Sequence, residues 1–169
     1  MARRDVSSHV DLPPFQALID AHGPDVHRFL AAMVGSIAAD DCYQETWIAA
    51  LRAYPRLRDA GNLRGWLLTI AHRKAIDHVR ARNRRAVPVS DVPERAAMDT
   101  GVDASVAASD GELWSLVRAL PPKQRTALAL RYVFDSAHAE IAAVMDTSED
   151  AARRNVHEGL KRLRKEYQR

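Results

Sequence analysis

Apolar residues in this chain recur every three or four positions over most of its length, a spacing that fits the α-helix and does not fit a strand. Phe15, Leu18 and Ile19, followed by Val26, Phe29, Leu30, Met33 and Val34, form a first stripe. Gly23-Pro24 predicts a kink or restart within it, and Gly35-Ser36 a stop. Tyr43, Trp47, Ala50, Leu51 and Tyr54 form a second stripe that Pro55 ends. Asp40 or Asp41 is predicted to open it, because a helix N-terminus favours carboxylates. Leu63, Trp66, Leu67, Ile70 and Ala71 face inward on a third helix that runs to about Arg85. No alternating run of β-branched residues reads as a strand.

The period then lapses. Pro88, Pro93 and Gly101 stand among Ser, Asp and Ala with few large apolar groups, too little to offset the entropy of ordering. It resumes with Leu113, Leu116, Val117 and Leu120, stops at Pro121-Pro122, and continues through Leu128, Leu130 and Tyr132. A short helix from Ala139 to Met145, the turn Asp146-Thr147-Ser148 and a last stripe of Ala152, Val156, Leu160 and Leu163 complete a helix-turn-helix. The expected fold class is all-α, two small helical domains joined by a flexible linker. The divisions are a tail over 1–14, a first domain over 15–85, an acidic linker over 86–112 and a second domain over 113–169.

A single cysteine excludes a disulfide framework and a cysteine-built zinc site, which suits a reducing, cytoplasmic setting. No run nears the roughly 18 apolar residues of a membrane span, and Met1-Ala2-Arg3-Arg4-Asp5 lacks a signal-peptide core. Membrane insertion is not expected. The net charge of +3 hides a strong pattern: residues 64–85 carry seven Lys/Arg against one acid, and residues 153–169 seven against two. Ala86 to Glu112 carries six acids and one Arg95. Two basic blocks around an acidic one suggest two polyanion contacts and a segment that avoids them; two solvated helix faces and an ordinary linker are the alternative.

Asp41, Gln44 and Glu45, at i, i+3 and i+4, share a helix face away from Tyr43 and Trp47. Such a patch can accept hydrogen bonds from Arg or Lys of a partner protein, or can be a plain solvated face. Arg64, His72, Arg73, Lys74, Arg80, Arg82, Arg84 and Arg85 supply cations along and beyond the helix of Trp66. Cations pair with phosphates and an aromatic ring can stack on unpaired bases. Trp66 keeps the apolar period and so reads first as core and only then as a stacking platform. His22 and His27 are five apart, and His72 and His78 six apart, so neither pair has the i, i+4 spacing of a helical zinc site. Without a Gly-rich phosphate loop, a nucleophile elbow or paired catalytic carboxylates, no catalytic residue, metal or cofactor is expected.

Taken jointly, these segments resemble the two domains of an extracytoplasmic-function (ECF) sigma factor of bacterial RNA polymerase. Asp40-Asp41-Cys42-Tyr43-Gln44-Glu45-Thr46-Trp47 is similar to the family's polymerase-docking helix, and Trp66-Leu67-Leu68-Thr69-Ile70-Ala71, with Ala75, Asp77 and Arg80, to its −10 reading and melting helix. Leu120-Pro121-Pro122-Lys123-Gln124-Arg125 and Glu140-Ile141-Ala142 match the start of its −35 domain. The resemblance implies that Asp41, Gln44, Glu45 and Ile48 hold the clamp coiled coil of core polymerase, with a further contact to its flap. Arg58, Asp59, Ala60, Gly61 and Asn62 would pocket a flipped base of the −10 strand, and Trp66, Arg73, Lys74, Asp77 and Arg80 would grip the strands beside it. The linker would thread toward the active-site cleft and RNA exit path. Ser148, Arg153, Arg154, Asn155, His157 and Lys161 would meet the −35 major groove. Promoter DNA and a clamping anti-sigma protein are the other implied partners. The rival is a stand-alone helix-turn-helix regulator, which leaves the Asp41 face without a task.

Several positions depart from the family pattern. Arg73 stands where Asn is common, and Asp146 where the turn usually has Gly, at a predicted positive φ. Ser136 and Thr147 replace apolar residues, which predicts a looser second core. Glu149 and Asp150 suit a helix N-terminus behind a Ser148 N-cap but repel nearby phosphate.

Overall fold

The first stripe folds as one helix. In this computed structural model, which describes residues 11–85 and 107–168, α1 runs Phe15–Val34 with Pro24 inside it. The predicted tail up to residue 10 and the predicted linker over 86–106 lie outside the described residues. Gly23, the other half of the predicted break, is buried against Tyr43, where a Cβ would stand 2.8 Å from the phenol oxygen. It therefore serves close packing on the next helix. Val26, Phe29, Leu30 and Met33 are all buried on one face of α1, and each such burial contributes about 1.5–3 kcal/mol.

Gly35, at φ 85°, stops α1 in a conformation that glycine adopts freely, and its N–H bonds Ala31 O at 2.9 Å. α2 follows at once, Ser36–Ala53, so it opens before Asp40 and Asp41 rather than on them. A 3₁₀ turn, Tyr54–Arg56, carries Pro55 and ends the element. α3 spans Leu63–Arg85. Phe15, Trp47 and Tyr54 pack edge to face at the base of this three-helix unit, with ring centroids 5.2–5.8 Å apart around Phe15. Leu51, expected in the core stripe, points outward.

The C-terminal half comprises α4 (Ala107–Ala119), α5 (Pro122–Leu128), a π-helical turn (Ala129–Val133), α6 (His138–Met145) and α7 (Glu149–Tyr167). α4 thus begins upstream of Leu113, and Leu113 itself is exposed. Pro121 and Pro122 open α5, where a missing N–H costs little. Asp146 ends α6 in the left-handed region, φ 51°, as its place in the turn predicts, and Asp135 does the same after the π turn at φ 50°. Ser148 caps α7, its Oγ accepting from Ala151 N at 3.2 Å. Ser136 is buried, but Thr147 is exposed and does not enter the core. Tyr132 also stands out into solvent, because the π turn rotates it off the apolar face.

Every regular element among the described residues is helical, so the fold is all-α. The two halves do not stand apart. α6 packs on α3, while α4, α5 and the π turn pack on α1, and one buried cluster runs from Leu18 through Ala75 to Val156. Periodicity shows that a helix face is covered; it does not show which half of the chain covers it.

Candidate nucleic-acid interface

One face of α2 carries Ile37, Asp41, Gln44, Glu45, Ile48 and Leu51, spaced by three, four or one, and all are exposed. The acidic and amide groups are those predicted; the apolar residues around them are the new feature. Ile37, Ile48 and Leu51 are 72%, 51% and 54% exposed, so three large apolar side chains stand in solvent along the same face as the acidic groups. The spacing of Ile37 and Leu51 relative to Asp41 was the available signal. Glu45 is held by Lys74 of α3 at 3.6 Å, which draws that lysine toward α2. Beneath the face, Cys42 is buried, and its thiol is pushed up by desolvation and then by Glu45 and Asp41.

The loop before α3 is built largely by its own side chains. Asp59 Oδ1 accepts from Gly61 N at 2.7 Å, and Asn62 Oδ1 caps α3 by accepting from Gly65 N at 2.8 Å. Gly65 leaves room for this cap, since a Cβ would lie 2.6 Å from Asn62 Nδ2 and push that side chain aside. Asp59 and Asn62 therefore shape the loop, while Arg58 is exposed and Ala60 half-buried at its rim. Trp66 tilts against Tyr54, with ring centroids 6.1 Å apart, and is packed on the core with part of its surface open.

Along α3, Arg73, Asp77 and Arg80 are exposed, Lys74 less so. His72 faces the C-terminal half, its Nδ1 3.3 Å from Thr126 Oγ1. Burial, and then Arg73 and Arg80, lower its pKa from 6.5 to about 4, so the ring is neutral at physiological pH. Arg64 pairs with Asp25 of α1 at 3.0 Å; the oxygen lies off the N–H line, so this is an ion pair rather than a hydrogen bond.

On α7, Arg154, His157 and Lys161 are exposed. Arg153 is paired with Glu149 at 2.9 Å, which partly offsets the acid at the helix start. Asn155 is half-buried and donates back to Ala151 O at 2.8 Å, so its amide is engaged by its own helix. Ser148 is engaged in the cap. Of the predicted −35 set, Arg154, His157 and Lys161 have side chains with no such engagement in the geometry above. Among the described residues no group of three His, Cys, Asp or Glu comes together to hold a metal, and no helix is long and apolar enough to cross a membrane.

The model of Sigma-70 region 2 matches residues 18–85, and that of Sigma-70 region 4 matches residues 110–163. ECF RNA polymerase sigma factor SigD of Mycobacterium tuberculosis is 34% identical over 165 residues, covering 92% of this chain and 78% of the relative. RNA polymerase sigma factor CarQ of Myxococcus xanthus is 33% identical over 157 residues, covering 89% of this chain and 87% of the relative. The fold is shared with sigma factor RpoE, solved in complex with the anti-sigma factor NepR from Bartonella quintana (TM-score 0.70, 20% identity, 89% of this chain and 94% of that one). It is shared equally with CnrH in complex with the cytosolic domain of CnrY (TM-score 0.69, 20% identity, 91% and 87%). With both of its halves matched by sigma-70 region models and its length shared with ECF relatives, this chain belongs to the ECF family of RNA polymerase sigma factors.

Proposed function

We propose that the α2 face of Asp41, Gln44, Glu45 and Ile48 docks on the clamp coiled coil of core polymerase, with Ile37 and Leu51 closing its apolar rim. Three large apolar side chains exposed around an acidic centre carry this reading. A charged patch alone is commonly a solvated helix face, whereas apolar knobs around acceptors match the make-up of a protein interface. This feature also favours the sigma reading over a regulator that binds duplex DNA alone.

The loop 58–62, shaped by Asp59 and Asn62, is then positioned beside α3 to receive a base of the −10 strand, with Arg58 at its rim. Arg73, Asp77 and Arg80 line the strand path, and Trp66 offers its open edge. Lys74 supports the docking face through Glu45 as well as adding charge near the strand. Arg154, His157 and Lys161 meet the −35 groove, with Arg153 reaching phosphate once it leaves Glu149. Residues 15–85 act as the −10 and polymerase module and 113–169 as the −35 module, which also meets the flap. The acidic residues between 86 and 112 join them.

The chain acts in the cytoplasm, has no chemistry of its own and uses no cofactor; an anti-sigma protein restrains it. A pull-down with core polymerase tests the docking face. Stoichiometric binding that is lost in the double variant Asp41→Ala/Glu45→Ala supports it, and binding unchanged in that variant rejects it.

A further inference from the structure

The outward face of α7 runs from an acid to a base. Ala152, Val156 and Gly159 turn inward. Opposite them stand Asp150, Arg154, His157 and Lys161, spaced by four, three and four and all exposed. None of these four side chains has an ion pair or hydrogen bond among the described residues. Their neighbours are engaged within the helix: Ser148 Oγ accepts from Ala151 N, Glu149 holds Arg153 at 2.9 Å, and Asn155 donates to Ala151 O.

Asp150 is the odd member of this stripe. A helix N-terminus attracts anions, and DNA phosphate is a natural occupant. Ser148 already caps this one, and Glu149 already supplies a negative charge in its first turn. The helix therefore has little need of Asp150, and toward phosphate the carboxylate is repulsive. In the major groove it has one kind of favourable partner, an exocyclic amino group. Cytosine presents its N4 amino donor there with no acceptor beside it, whereas adenine sets the N7 acceptor next to its N6 donor. Guanine and thymine meet a carboxylate with acceptors, O6 and N7 or O4. Cytosine is thus the base that Asp150 can accept from without repulsion.

Position supplies the reach. The first residues of a recognition helix lie closest to the base edges, and the short flanking side chains Ser148 and Ala151 let the backbone approach. Arg154 follows one turn later, about 6 Å along the axis, or roughly two base-pair steps of about 3.4 Å. Its fork fits O6 and N7 of guanine.

We infer that Asp150 is a specificity residue: its carboxylate selects cytosine in the −35 element, and Arg154 selects a guanine about two base pairs away on either strand. Both assignments rest on reading α7 as the −35 helix. Asp150 contributes discrimination rather than grip, since it weakens contact with every other base and with bare backbone.

The test offers holoenzyme, assembled from core polymerase and the full chain, a promoter pool randomised across the −35 and −10 elements, and sequences the bound DNA. Wild type should enrich cytosine about tenfold at one −35 position, with guanine about two positions away. Asp150→Ala should flatten that cytosine position alone and bind unrelated duplex more tightly than wild type does. Asp150→Asn should switch the same position to adenine, whose N6 and N7 an amide meets as a pair. A carboxylate that only stabilised the helix would move the melting temperature and leave base choice unchanged. Arg154→Ala should flatten the guanine position. Circular dichroism checks the fold, and Asp150→Asn decides the matter if Asp150→Ala melts. A −35 profile unchanged in both Asp150 variants, or one with no cytosine position that responds to them, overturns the inference and leaves α7 as the −35 helix. A wild-type profile with no −35 preference at all overturns the reading of α7 and this inference with it.

Discussion

Acidification should loosen this protein through one residue. The His72 ring is half-buried at the contact between halves, with Thr126 Oγ1 3.3 Å from its Nδ1. Burial first, then the positive charges of Arg73 and Arg80, bring its pKa from 6.5 to about 4. The folded value lies below the unfolded one, so the fold favours the neutral ring. Its contribution is complete above pH 6.5 and is lost as pH falls toward 4. The full shift corresponds to about 3 kcal/mol, a ceiling because the ring keeps some solvent contact. About 1.4 kcal/mol of it should already be gone at pH 5.5.

Urea melts of wild type and His72→Gln between pH 7.5 and 5 isolate this term, since every other titrating group is common to both proteins. The variant, less stable than wild type at pH 7.5, should gain on it by about 1.4 kcal/mol at pH 5.5. Parallel stability profiles for the two proteins would refute the reasoning. They would mean that His72 is as well solvated in the fold as in the unfolded chain.

Three further outcomes are expected. Reversing charge on the α2 face with Asp41→Arg/Glu45→Arg should weaken core-polymerase binding at least tenfold, about 1.4 kcal/mol, with an unchanged helical spectrum; equal affinity by titration would count against the docking face. Gly159→Ala should lower thermal stability although alanine is the better helix former, because the new methyl meets Leu128 Cδ1 at 2.9 Å and Cγ at 3.0 Å. Overpacking of about 1–3 kcal/mol outweighs the roughly 1 kcal/mol propensity gain, and a raised melting temperature would show that Leu128 yields freely. Lys161→Ala should reduce the slope of log affinity against log salt for −35 duplex by about 0.9, and an unchanged slope would remove Lys161 from the phosphate contacts.

Much of the exposed α2 face proposed for docking was legible because helical spacing is a local property. Asp41, Gln44 and Glu45 could be placed on one side of α2 from their positions alone, and Tyr43 and Trp47 on the other. The same reasoning misjudged Leu51, which continues the apolar stripe in sequence yet faces out with Ile37 and Ile48. An apolar residue at the border of a stripe can serve the core or a partner, and spacing does not separate the two. Gly23-Pro24 misled for a related reason. The glycine answers the close approach of Tyr43, a neighbour from another helix, and the chain continues through it as helix.

The loop before α3 was recognised as a candidate by resemblance, but its side chains could not be sorted beforehand. Asp59 and Asn62 turned out to hold backbone N–H groups, and Asn155 and Ser148 do likewise on the last helix. A polar side chain that bonds its own backbone looks, in sequence, the same as one free to meet DNA.

From its order of residues alone, this chain determined its helices, their breaks at Gly35, Pro55 and Pro121, the αL turn at Asp146 and the family to which both halves belong. These rest on spacing, dihedral preference and motif, all of which act over a few neighbouring residues. Only the tertiary structure decided that Arg125, to all appearance one more cation in a basic motif, is buried between the ends of α1 and α4. Only it brought Phe134 against Phe29 and Arg64. Such contacts depend on which covered face meets which, a choice made by shape and by unpaired carbonyls from distant parts of the chain, and no local pattern records it.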